Sequence, residues 1–220
     1  MARKRGGTGM VAAFRWLNEP PDWHDDGSTL TLLTGPRTDF WRRTLEDKLS
    51  DEDFASVGLA PGPYVIDNGH LYYDDVAGDF TASVRVSGHF ADQYDQAGLM
   101  VRQDAENWIK YGLEVVQGKW ADRYDYRGSA LLLGCSFTSR GWSEWSVLPQ
   151  FPENPSAIWL RIIREGRSFF IDFSLDGELF TLVKLCSLPE AATLQVGRYA
   201  TAPTGNGFRA TFTNYQLAEG

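Results

Sequence analysis

Lys110 and Glu114 are the residues with which chemistry would begin. They stand four apart in NWIKYGLEV. On a strand that spacing puts them on one face, two pleats apart and about 13 Å at the Cα atoms. An amine and a carboxylate so placed can lean together or hold a ligand between them. A carboxylate beside Trp108 on a partly apolar floor is desolvated, which moves its pKa towards the range used in acid–base work. The structural alternative is an ion pair neutralising Glu114 with Arg102 or Arg161.

The elements that must position this pair are two strands joined by the polar turn Asp104–Asn107. Ile109, Tyr111, Leu113 and Val115 alternate with Trp108, Lys110, Gly112 and Glu114, so period two splits them between faces. Leu99 and Val101 likewise oppose Gln96, Gly98, Met100 and Arg102. One face is core. The other carries Trp, Met, Gln, Arg, Lys and Glu, a mixture that plain solvated faces rarely use. It reads as the floor of a groove.

Other residues are candidates for the same groove. Asp39 and Trp41 lie in the segment TDFW, which would fold over the rim; Asp39 is either a turn cap or a polar anchor. Glu144, Trp145, Arg161 and Tyr199 complete the set. Trp108, Trp120, Trp145, Trp159 and Tyr199 could offer flat faces to a sugar, and ordinary core is the stronger alternative for Trp145 and Trp159. His24, His70 and His89 lack ligand spacing, so no metal site is expected. No dinucleotide or phosphate-loop motif suggests a cofactor. A retaining jelly-roll glycosidase needs two carboxylates about 5–5.5 Å apart, commonly arranged on one strand as E-x-D-x-x-E. That motif is missing.

Composition narrows the classes. The chain has 220 residues, 43% hydrophobic and 14% aromatic, enough for a large core. Its balance of 21 basic and 29 acidic residues, net −8, argues against nucleic acid and anionic membranes as partners. No run suits a membrane span, and Arg15 interrupts the apolar start at Met10–Trp16, so a cytoplasmic location is expected. Cys135 and Cys186 sit in apolar strand contexts and read as free thiols, although sequence leaves a disulfide open.

Along the chain, residues 1–9 read as a disordered leader and 10–220 as one domain. Short alternating runs separated by turn residues follow one another, among them Phe80–Gly88, Leu131–Phe137, Ile158–Arg164, Phe169–Leu175 and Thr193–Tyr199. Asp22–His24 reads as a loop and Asp176–Gly177 as a two-residue turn. A helical turn is expected at most at 51–57. About a dozen strands without an amphipathic helix of useful length mean an antiparallel sandwich.

The ordered motifs WLNEP (16–20), TDFW (38–41), DQAGLMVR (95–102), ENWIKYGLE (106–114), WLR (159–161) and DG (176–177) resemble the DUF1349 family of regulation-of-enolase-like proteins. The resemblance spans nearly the whole chain and implies a concanavalin A-like lectin/glucanase jelly roll of two curved antiparallel sheets. That fold hosts sugar-binding modules, hydrolases and lyases, so it does not fix an activity. The sequence departs from the family pattern at Trp120, Tyr124 and Tyr126, and at Glu144, where Asp is more typical.

Three functions are therefore expected in order. The first is binding of a carbohydrate or other small metabolite on the concave face. The second is a non-hydrolytic enzyme, of cyclase or isomerase type, using Glu114 and Lys110, with the loops 46–63 and 117–130 long enough to form a lid. The third, carried by the resemblance, is regulatory contact with a metabolic enzyme; it predicts an exposed apolar patch away from the groove.

Overall fold

The computed structural model describes residues 14–42, 65–117, 130–148 and 155–220. The expected leader, the helical turn at 51–57, and Trp120, Tyr124 and Tyr126 lie outside them, as does most of both expected lid loops. The first strands are β1 (Arg15–Leu17), β2 (Asp22–Asp25), β3 (Thr29–Leu33), β4 (Phe40–Trp41), β5 (Ile66–Asp67) and β6 (His70–Ala77). Then come β7 (Phe80–Gly88), β8 (Gln96–Asp104), β9 (Asn107–Val116), β10 (Ala130–Ser139) and β11 (Trp142–Leu148). The last are β12 (Ile158–Glu165), β13 (Ser168–Ser174), β14 (Thr181–Ser187), β15 (Thr193–Thr201) and β16 (Arg209–Glu219).

Two seven-stranded antiparallel sheets form a jelly-roll sandwich. Sheet A has the order β1-β6-β15-β8-β9-β10-β11, and sheet B the order β14-β13-β12-β7-β16-β3-β2. A two-stranded ribbon, β4-β5, stands apart from both. The segment Asp22–His24 is not a loop: it pairs with β3 as the last strand of sheet B.

Alternation builds the core as the sequence suggests. Leu99, Val101, Ile109, Tyr111 and Leu113 of sheet A meet Val84, Val86, Leu160, Ile162 and Ile171 of sheet B, all fully buried. Each large side chain so buried contributes roughly 1.5–3 kcal/mol. Cys135 in β10 is buried and Cys186 in β14 half-buried, and both are free thiols.

The central hairpin β8–β9 departs from the one-sided burial of an antiparallel sheet. Both strands are buried on both faces over nearly their whole length. The face turned away from sheet B carries a second apolar cluster of Phe40, Leu71, Tyr73, Met100, Trp108 and Tyr199, with Leu17 against it. Phe40 comes from β4, so the segment running into that ribbon crosses the outer face of sheet A.

The two strands meet closely at Gly98 and Gly112, which face each other across the hairpin. A Cβ on Gly98 would lie 2.0 Å from the Tyr111 carbonyl oxygen, an atom of backbone that cannot step aside. Gly98→Ala is expected to cost about 3 kcal/mol or more in denaturant unfolding. Gly78→Ala, where φ is +73° but nothing lies within 4 Å, is expected to cost only about 1–2 kcal/mol. Equal costs would contradict the close approach.

Candidate functional site

The register of sheet A sorts its outer face into rows, because directly paired residues share a face. One row runs Tyr73, Gly197, Met100, Lys110, Ser136, Trp145. The next holds Tyr199, Gly98, Gly112 and Gly134, and beyond it lie Thr201, Gln96 and Glu114. On the other side of the Lys110 row are Gln195, Arg102, Trp108 and Thr138. The glycines separate the Lys110 row from the Glu114 row.

The crossing segment is fastened at several points. Thr38 N donates to the Ala202 carbonyl at 3.2 Å, and Ala202 N donates back to Thr38 Oγ1 at 3.0 Å. Asp39 N donates to Asn68 Oδ1 at 2.8 Å, while Asn68 N and Gly69 N both donate to the Asp39 carbonyl. Gly35 N donates to His70 Nε2 at 2.9 Å, which requires the proton on Nδ1, where it points at the Asn18 carbonyl 2.7 Å away. Burial holds His70 below its ordinary pKa and keeps it neutral for this role. His70 opens β6.

Fastened this way, the segment aims Asp39 down at the sheet. Lys110 Nζ donates to Asp39 Oδ1 at 2.6 Å, and Phe40 N donates to the same oxygen at 2.8 Å. Lys110 is 1% exposed and Asp39 5%. The ammonium also lies 5.6 Å from the Trp41 ring centre and 5.7 Å from that of Trp108, within cation–π range. Burial pushes the Asp39 carboxyl up, and Lys110 opposes that push. Asp39 is thus the ion-pair partner of Lys110, and its carboxylate also accepts from the backbone at the start of β4.

Glu114 takes a different partner. Trp145 Nε1 donates to its Oε2 at 2.9 Å, and Tyr94 stands edge-on to the Trp145 ring at 6.3 Å. The carboxylate leans over Gly134, where a Cβ would come within 2.0 Å of Oε2. Burial raises the Glu114 carboxyl from 4.5 to about 7, against the lowering influence of Lys110 and the Trp145 hydrogen bond. Arg102 closes the far end of the face, donating to Asp67 Oδ2 at 2.9 Å and Gln195 Oε1 at 3.0 Å.

Several polar groups here are buried but not spent. Among the described hydrogen bonds none uses Asp39 Oδ2, Glu114 Oε1, the Gln96 amide or the Tyr199 hydroxyl. Each of these residues keeps between 2% and 5% of its surface open. Trp41 and Trp145 are half-buried beside them.

Ten of the expected site residues therefore share the outer face of sheet A or the segment over it: Asp39, Trp41, Gln96, Met100, Arg102, Trp108, Lys110, Glu114, Trp145 and Tyr199. Two do not. Arg161 lies on β12 of sheet B, facing away from the core, with its guanidinium bonded to Asp172 and 3.9 Å from the Phe180 ring centre. Glu144 pairs with Phe137 and so points to the opposite side of sheet A from Trp145, where it meets Lys184 at the sandwich edge. Trp145 is not core: it lines the site. Tyr94, Gly134 and Asn68 were not among the expected residues, and only the fold brings them here. Among the described residues no group of three His, Cys, Asp or Glu side chains is placed to hold a metal ion. No helix there is long and apolar enough to cross a membrane.

Comparison with known proteins agrees with this architecture. The sandwich is similar to the GH43 protein BlXynB of Bacillus licheniformis, with a TM-score of 0.59 at 14% identity over 92% of this chain and 36% of that one. That likeness concerns the fold alone. The chain belongs to the DUF1349 family, a protein family of unknown function, whose profile matches residues 16–220. It is 32% identical over 202 residues to "Regulation of enolase protein 1" of Saccharomyces cerevisiae, covering 92% of this chain and 87% of that protein. A solved, functionally unknown protein from Saccharomyces cerevisiae matches with a TM-score of 0.77 at 30% identity, over 94% of this chain and 96% of that one.

The Glu114 pKa has a measurable consequence. Unfolded, this carboxyl ionises near 4.5; folded, it waits until about 7. Its contribution to stability is therefore fully present below pH 4.5 and declines as pH rises to 7, by about 3 kcal/mol. Glu114→Gln lacks this titration. The variant is expected to gain about 2–3 kcal/mol on the wild type between pH 4.5 and 8 in denaturant titrations. A difference that stays constant with pH would refute the assignment.

Proposed function

We propose that the outer face of sheet A binds a carbohydrate or another small polyhydroxylated metabolite. The observation that carries this reading is the unspent hydrogen-bonding capacity of Asp39, Gln96, Glu114 and Tyr199 beside two half-exposed indoles. Carboxylate, amide and phenol groups suit vicinal hydroxyls, and the flat faces of Trp41 and Trp145 suit the C–H face of a sugar ring. The free thiols accord with a reducing, cytoplasmic setting.

One observation favours a second reading. A carboxyl titrating at about 7, within the field of a buried ammonium, is poised to give or take a proton. On that reading Glu114 is an acid–base group and Lys110 an electrostatic partner in a cyclisation or isomerisation, with no hydrolysis. The name of the yeast relative, regulation of enolase, supports a third reading, contact with a metabolic enzyme.

A thermal-shift screen of sugars, polyols and sugar acids, followed by titration calorimetry, tests the proposal. At least one polyhydroxylated compound should raise Tm, and Trp145→Ala should weaken it about tenfold, the equivalent of about 1.4 kcal/mol. Glu114→Gln should spare binding but abolish turnover if the site is catalytic. No stabilising compound, or equal binding by Trp145→Ala, would count against the site.

A further inference from the structure

We propose that the outer face of sheet B is a docking surface for a second copy of this chain. Outward positions of an antiparallel sheet facing water normally carry polar residues. Here Leu185, Phe170 and Ile163 stand side by side across β14, β13 and β12. Leu182 is outward as well, three residues from Leu185, a spacing that would put the two on opposite faces of a regular strand. An irregularity in the pairing of β13 with β14, at Ile171–Asp172, skips Val183 and brings both leucines to one side.

The exposure is large. Leu175, Leu179, Leu182 and Leu185 are 51%, 79%, 55% and 58% exposed. Together they leave on the order of 400 Å² of apolar surface in water, a size at which a monomer's largest patch is often functional. That is about half of the ~800 Å² each partner commits to a standard interface, before Phe170, Ile163 and Phe180 are added.

On β12 and β13 the charged groups within the patch, Arg161 and Asp172, pair with each other. Arg161 donates to Asp172 Oδ2 through Nε at 3.1 Å and Nη2 at 2.5 Å, and stacks on Phe180. Covering that pair leaves no orphan ion. Sheet extension through the β14 edge is opposed by its own bulge, and Lys184 is turned away to Glu144. Contact therefore runs through the face.

The surface supplies both halves of a two-fold contact. Protruding leucines on β14 lie beside the lower, half-buried Phe170 and Ile163 on the next two strands. A two-fold axis parallel to the strands, lying between the two facing sheets, seats the leucines of each copy over Phe170 and Ile163 of the other, the self-complementarity an isologous dimer needs. Each copy carries −8, so the bodies repel while the patches attract. The dimer should tighten as salt rises.

Sedimentation velocity on the full chain, from low to high micromolar concentration at low and high salt, tests this. The wild type should shift from one-chain to two-chain mass with concentration, and at lower concentration in high salt. The double variant Leu182→Asp/Leu185→Asp should remain monomeric at least tenfold beyond the wild-type midpoint, with unchanged circular dichroism and denaturation midpoint. A wild type that stays monomeric throughout overturns the proposal, leaving any occupant of the patch to be a different protein. A dimer that survives the double substitution also overturns it.

Discussion

A lysine buried to 1% exposure is tolerable only with a counterion at hand, and Asp39 is that counterion. Removing two such charges from water costs several kcal/mol each, and their attraction repays this only with good geometry and further hydrogen bonds. The structure supplies both. Asn68, Gly69 and Phe40 fix Asp39, and the indoles of Trp41 and Trp108 flank the ammonium. The bond therefore joins two things at once: it neutralises Lys110, and it holds the crossing segment on the outer face of sheet A. The two-sided burial of β8 and β9 and the second apolar cluster depend on that cover.

The cover also explains why the face is chemically unusual. With Lys110 committed to Asp39, Glu114 keeps, among the described residues, only Trp145 as a hydrogen-bond partner, together with a share of the ammonium field. Desolvation then wins, and its carboxyl moves to about 7. Two carboxyls on one face thus have different surroundings, one held by a cation and one by an indole N–H. Such divergence is common at functional sites.

Much of this was legible in period two. The alternation from Gln96 to Val115 separates core from outer face without error, and the presence of Trp and Met on the outer side signals that something covers it. Period two also forbids adjacent Glu144 and Trp145 from facing the same way, so one of them had to leave the site. The sequence could not say which sheet β12 joins, and Arg161 fell on the wrong one. Nor could it pair Asp39 with Lys110 across 71 residues or Trp145 with Glu114 across 31. Those contacts depend on strand order, which local pattern does not contain. The edge strand at Asp22–Asp25 was missed for a related reason: with a charged residue at each end and Pro21 before it, only pairing with β3 makes it extended.

The most direct measurement is a double-mutant cycle on the buried pair, using Lys110→Met, Asp39→Asn and the two together, read by denaturant unfolding at pH 7. Each single change should be strongly destabilising, by about 3 kcal/mol or more, because it strands or weakens the remaining buried ion. The double variant should recover much of the loss, giving a coupling of about 2 kcal/mol or more. Single effects that simply add, within about 0.5 kcal/mol, would mean that the pair does not hold the segment to the sheet.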